Sequence, residues 1–177
     1  MPRYDAASAE CFVLTFREGI LSAVGHDLRL RVARFSIEVS DAGEIDARFD
    51  AASLEVVCAI VADADAPNAL SPKDRREIES NARDVLEARR HPEIRFKSTS
   101  VARKPDSARI EGRLTLRGVE RPLTARATLI GERFEAEMRL HQPDFGIAPF
   151  RAMFGALRLR PDVVVRVNVP AGAARAQ

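Results

Sequence analysis

The chain has no tryptophan, one tyrosine, two cysteines and three histidines in 177 residues. Three of its 28 basic residues are lysine; the rest are arginine. Each scarcity excludes something. Cys11 and Cys58 form no CxxC pair and have no histidine nearby in sequence, so they read as reduced thiols on strands, not as a disulfide framework or thiolate metal site. His26, His91 and His141 are scattered without HxH or HExxH spacing, so no metal is expected. The chain has no GxGxxG, no P-loop, no GxSxG and no paired carboxylates, and no cofactor is expected. No apolar run approaches the ~18 residues of a membrane-spanning helix, so no stable membrane insertion is expected. With 26 acidic residues the net charge is +2, which argues against nucleic acid as partner. The opening MPRYDAASAECFVLTF lacks a basic start followed by an apolar core, which makes a cytoplasmic location the expectation.

What the chain has in abundance is period-two alternation. Phe12, Leu14 and Phe16 share one face of a first strand, and Leu28, Leu30 and Val32 one face of a second. Phe35, Ile37 and Val39 continue one residue out of phase, which predicts a bulge near Ala33-Arg34. Further strands follow through EIDARF, SLEVVCAI, EIRFKSTSV, IEGRLTL, PLTARATLI, RFEAEMRL and VVVRVNV, with a turn over Gly118–Pro122. One segment departs from the pattern: Ser71 is an N-cap, Pro72 the first helical residue, and Ile78, Ala82, Val85 and Leu86 keep helical spacing. This predicts a helix over about 72–90, closed by His91-Pro92.

The expected fold is therefore mainly β: an eight-stranded antiparallel lipocalin-like barrel with one intercalated α-helix, in a single domain over 1–170, with 171–177 as a disordered tail. Ala47, Gly112, Ala125, Ala127 and Ala136 fall on inward positions. Small inward residues suit a hollow barrel, or they face bulky neighbours in a filled one.

Four stretches resemble the YceI-like family: HPEIRFKSTSV (91–101), IEGRLTLRGVERPLTARATLIG (110–131), HQPDFGI (141–147) and LRPDVVVRVNV (159–169). FREGILSAVGHDLRLRV is similar to the family's opening, while Gln142 stands where the family often has arginine. The resemblance implies a lipocalin-like barrel that binds a hydrophobic isoprenoid-type lipid, a polyprenyl chain or isoprenoid quinone, and carries or sequesters it without catalysis. The candidate ligand-binding residues are Phe12, Leu14, Phe16, Phe96, Leu114, Leu116, Phe134 and Met138 inside, with Phe145, Phe150 and Phe154 at the mouth. His26 is the polar candidate; Asp27 follows it on an extended strand and faces the other way. Two other readings stand beside this one. A small barrel enzyme would use His26 on an apolar substrate, and an inert interaction module, a homodimer, would have a filled interior.

Overall fold

Alternation of this kind buries one face of each strand, and the strands curl around that face. The computed structural model describes residues 1–18, 25–152 and 157–171. Its strands are β1 (Arg3–Asp5), β2 (Glu10–Thr15), β3 (Asp27–Val32), β4 (Phe35–Val39), β5 (Ile45–Asp50), β6 (Leu54–Val61) and β7 (Ala64–Ala66) before the helix α1 (Pro72–Val85). After it come β8 (Glu93–Arg103), β9 (Ser107–Leu116), β10 (Val119–Ile130), β11 (Arg133–His141), β12 (Arg151–Ala152), β13 (Leu157–Arg158) and β14 (Asp162–Pro170). Twelve strands form one antiparallel sheet in the order β1-β4-β5-β8-β9-β10-β11-β14-β2-β3-β6-β7, and β12 with β13 makes a separate ribbon. Residues 172–177 of the expected tail lie outside the described residues.

The lipocalin-like β class is as expected; the strand count of eight is not. The phase slip at Ala33-Arg34 is not a bulge but a corner at which the chain changes partners: β3 pairs with β2 and β6, whereas β4 pairs with β1 and β5. The chain crosses back between the same two margins through the turn Ala51–Ser53. Ser53 joins the two crossings. Its carbonyl oxygen accepts from Ala33 N–H at 2.9 Å and its hydroxyl accepts from Arg34 N–H at 3.1 Å. The short strands β1 and β7 complete the twelve; three residues are too few to carry a periodic signal.

The helix begins as read. The Ser71 hydroxyl accepts from Asp74 N–H at 3.1 Å, and the Asp74 carboxylate accepts from Ser71 N–H at 2.9 Å. It ends at Val85 rather than Arg90, because Glu87 takes a left-handed conformation (φ +48°) and residues 86–90 form turns. Its docking is polar at one edge. β6 carries a bulge where Arg29 pairs with Cys58 but Leu30 pairs with Val56, leaving Val57 outside the register. Arg75 donates to the Val56 and Val57 carbonyl oxygens at 3.1 and 3.0 Å, and Glu79 accepts from Val56 N–H at 2.9 Å. The helix thus satisfies backbone groups that the bulge releases.

The β9–β10 turn is tighter than Gly118–Pro122. Leu116 pairs with Val119, so Arg117 and Gly118, both at positive φ (52° and 72°), make a two-residue hairpin. Pro122 lies within β10 opposite Arg113, on a stretch with no register partner in β11, a setting in which strands accept proline.

Candidate functional site

The inward faces surround a cavity of about 920 Å3, lined mostly by apolar side chains. Ser107 and Leu116, the first and last residues of β9, both border it, so it follows the full length of that strand. Ile78, Ala82 and Val85 of α1, with Leu86 just after it, contribute to its wall. A filled interior is thereby set aside.

Most of the candidate residues belong to this wall. Phe96, Leu114, Leu116, Phe134 and Met138 line it along its length, and Phe145, Phe150 and His26 border the helix end. Phe12, Leu14 and Phe16 are absent from it; the wall positions of this region are Cys11, Val13 and Thr15. The inward phase of β2 is therefore the opposite of the expected one. Both of its faces are apolar, and the smaller residues, not the larger, make the hollow. On the outer face Phe12 carries the Arg29 guanidinium 5.5 Å from its ring centroid, and Leu14 is nonetheless buried. Phe154 lies outside the described residues.

The small inward residues have two uses. Ala47, Ala125, Ala127 and Ala136 border the cavity and leave it open. Gly112 does not border it. A Cβ there would stand 2.5 Å from the Phe96 ring and closer still to the Lys97 carbonyl oxygen, so this glycine makes room for a ring folded across the strand.

The polar groups of the wall divide between its ends. At the end formed by the β4–β5 and β8–β9 turns stand Asp41, Arg103 and Lys104, all exposed, with the buried Tyr4 ring nearby. Burial raises the Tyr4 phenol above its ordinary value, and the Arg103 charge partly opposes this. At the helix end stand Thr15, His26, Asn81 and Gln142. Asp27 does not join His26: its carboxylate accepts from the Arg17 backbone N–H at 2.7 Å. The Gln142 side chain donates to the Arg160 carbonyl oxygen at 3.2 Å, tying this end to the approach of β14. Among the described residues no three His, Cys, Asp or Glu side chains are grouped to hold a metal.

A three-part clasp closes the helix end. Arg117 donates to the Glu87 carboxylate and to the Gly146 carbonyl oxygen, joining the turn after α1, the β9–β10 hairpin and the 142–147 segment. The Arg117 guanidinium holds the Glu87 carboxyl below its ordinary range. Neither Arg117 nor Arg121 borders the cavity. Beneath the clasp, Phe145 and Ile147 pack on Leu114 and Leu116.

The cavity-bearing chain has recognisable relatives. The family model described as YceI-like domain matches residues 12–171. A protein named YceI from Escherichia coli is 37% identical over 95 residues, 48% of this chain and 48% of that protein. The UPF0312 protein of Pseudomonas aeruginosa is 40% identical over 74 residues, 36% of this chain and 39% of that protein. These alignments thus span less than half the length of either relative. Among solved structures, Burkholderia cenocepacia BcnA superposes with a TM-score of 0.65 at 15% identity, covering 93% of this chain and 97% of that one. A polyisoprenoid binding domain from Saccharophagus degradans superposes at 0.58 with 12% identity, covering 95% and 97%. At such identities the superpositions establish the fold alone.

Proposed function

The chain belongs to the YceI-like family, and from that premise we propose that it binds a hydrophobic isoprenoid-type lipid inside the barrel and carries or sequesters it without catalysis. The observation that carries this reading is the 920 Å3 apolar cavity following the barrel wall from one end to the other. At about 30 Å3 per water-sized group, it holds roughly 30 non-hydrogen atoms, or about six five-carbon isoprene units. A chain burying ~400 Å2 there gains on the order of 10 kcal/mol at ~25 cal/mol per Å2 before entropic costs. The description of the Saccharophagus degradans structure as a polyisoprenoid binding domain supports the same class of ligand. Phe96, Leu114, Leu116, Phe134 and Met138 contact the chain, and Phe145, Phe150 and His26 border its end. Aromatic rings and a methionine suit an adaptable fit to a flexible apolar chain.

The test is extraction. The protein is purified, denatured, and its organic extract read by lipid mass spectrometry; the ligand-free protein is then offered an isoprenoid quinone. Co-purifying isoprenoid or saturable binding is expected. Repeated absence of both ends the proposal.

A further inference from the structure

The cavity meets water at one end. Among its described wall residues the exposed ones are Asp41, Arg103, Lys104 and Pro105, and all of them stand at the β4–β5 and β8–β9 turns. The Arg103 guanidinium lies across the β4–β5 turn and donates to the Gly43 carbonyl oxygen at 3.4 Å. Gly43 is buried beneath it, and a Cβ there would stand 2.9 Å from a guanidinium nitrogen. Among the described residues neither Arg103 nor Lys104 is ion-paired. The carboxylate of this mouth, Asp41, is engaged: it lies 3.4 Å from the Met1 amino nitrogen.

Tyr4 borders the same end of the cavity and is only 9% exposed. Its hydroxyl makes no hydrogen bond, yet unlike that of Thr15 it is not sealed off by protein atoms. It stands near enough to Arg103 for that charge to act on it. A hydroxyl in apolar surroundings without a partner costs stability, and phenylalanine would avoid that cost. Three donors without acceptors of their own strength thus border one opening.

The helix end is built differently. Arg17 and Arg117 stand there, but neither borders the cavity. Arg117 is held by the Glu87 carboxylate and the Gly146 carbonyl oxygen, and Arg17 donates to the Gly25 carbonyl oxygen at 3.4 Å. The polar wall residues of that end, Thr15, His26, Asn81 and Gln142, are not exposed. We propose that Arg103 and Lys104, with the Tyr4 hydroxyl, form a subsite for an oxyanion, a carboxylate or phosphate, at the end of the bound lipid. The oxyanion accepts from all three at the mouth, and the apolar tail runs along β9 toward α1. At the mouth it stays partly hydrated and escapes the desolvation that it would meet deeper in the cavity. This rests on the lipid-binding reading and adds the chemistry and direction of the ligand's polar end.

The test uses three ligands with one tail: geranylgeranyl monophosphate, geranylgeranoic acid and geranylgeraniol. Affinities are read by equilibrium dialysis. Wild type is expected to prefer the phosphate, the acid or both over the alcohol by about five- to tenfold, less in high salt. Which of the two loses affinity in the variants identifies the source of the oxyanion. Arg103→Gln with Lys104→Gln should abolish the preference and leave geranylgeraniol binding unchanged, whereas Arg103→Lys should keep it. Tyr4→Phe should lower oxyanion binding about two- to fivefold. The arginine and lysine are exposed, so their variants should melt as wild type does. Equal binding of all three ligands, or a preference that survives the double substitution, overturns the subsite while leaving the lipid reading intact. So does a preference abolished by Arg17→Gln or Arg117→Gln instead, which would put the polar end beside α1. Wild-type protein that binds none of the three ends both.

Discussion

The Arg34 backbone N–H donates to the Ser53 hydroxyl at 3.1 Å, and that hydroxyl donates to the Asp50 carbonyl oxygen at 2.8 Å. Through Ser53, itself 3% exposed, the two chain crossings between the sheet's margins become one joint. Ser53→Ala leaves a part-buried N–H and a carbonyl unpaired and is expected to cost about 1–3 kcal/mol. Urea unfolding measures it; a loss below ~0.5 kcal/mol would show that the joint contributes little.

Gly112→Ala is expected to destabilise by about 1–3 kcal/mol, because the added Cβ meets both the Phe96 ring and the Lys97 backbone. In the Phe96→Leu background the same substitution should cost less, since the ring is gone and only the backbone contact remains. A double-mutant cycle on thermal unfolding reads the coupling, and an additive result would mean that the ring is not what Gly112 accommodates.

Burial pushes the Cys11 thiol from an ordinary 9.0 up to about 12. Between these values the unfolded chain releases the thiol proton while the folded chain retains it, so Cys11 contributes stability below pH 9 that is lost as pH rises through 9 to 12. The same suppression of the thiolate makes native Cys11 slow to alkylate at neutral pH. Iodoacetamide followed by peptide mass spectrometry should label Cys11 in denaturant and spare it in buffer.

The Glu87–Arg117 pair works in the opposite pH direction. Its carboxyl sits below the ordinary 4.5, so its contribution is present above pH 4.5 and fades as the folded-state carboxyl is protonated below it. Arg117→Ala removes the guanidinium from Glu87 and from the Gly146 carbonyl oxygen. Hydrogen exchange at the Gly146 and Ile147 amides, bonded to Pro143 and Gln142, should accelerate, while that at Arg34 stays unchanged.

Ala125 faces the cavity and is 4% exposed. Ala125→Phe grows a ring into open space rather than into packed atoms, so the expected cost is below ~1.5 kcal/mol. The ring occupies part of the volume offered to a ligand. Binding should shift toward shorter isoprenoids, which competition between chains of four and seven units would show; unchanged preference would place the ligand elsewhere.

Much of this was legible in the residues. Strict alternation in β9 and β11 marks the inward residues, because their outward positions are charged or polar and only one face can be buried; β10 and β14 keep the same phase although Ile130 and Val164 fall on their outer faces. The Ser71 cap was readable because a capping box is a local arrangement. β2 was not readable in the same way. With apolar residues on both faces, the phase rests on what covers Phe12 and Leu14 from outside, and that is a tertiary fact. The set Cys11-Val13-Thr15 carried a signal all the same: its members are smaller than Phe12, Leu14 and Phe16. The end of α1 was hidden because Leu86 continues the helical stripe beyond Val85, up to Glu87, where the chain turns.

The lengths of β1 and β7 bear on how the barrel behaves in company. The hydrogen-bonded sheet does not close on itself; it ends at these two strands. Each is three residues long, and β1 sets Arg3 and Asp5 on either side of Tyr4. A foreign strand laid along either margin finds too few backbone groups to grow a ladder, and at β1 it meets charge of both signs. The seam can therefore remain open without seeding polymers of the protein.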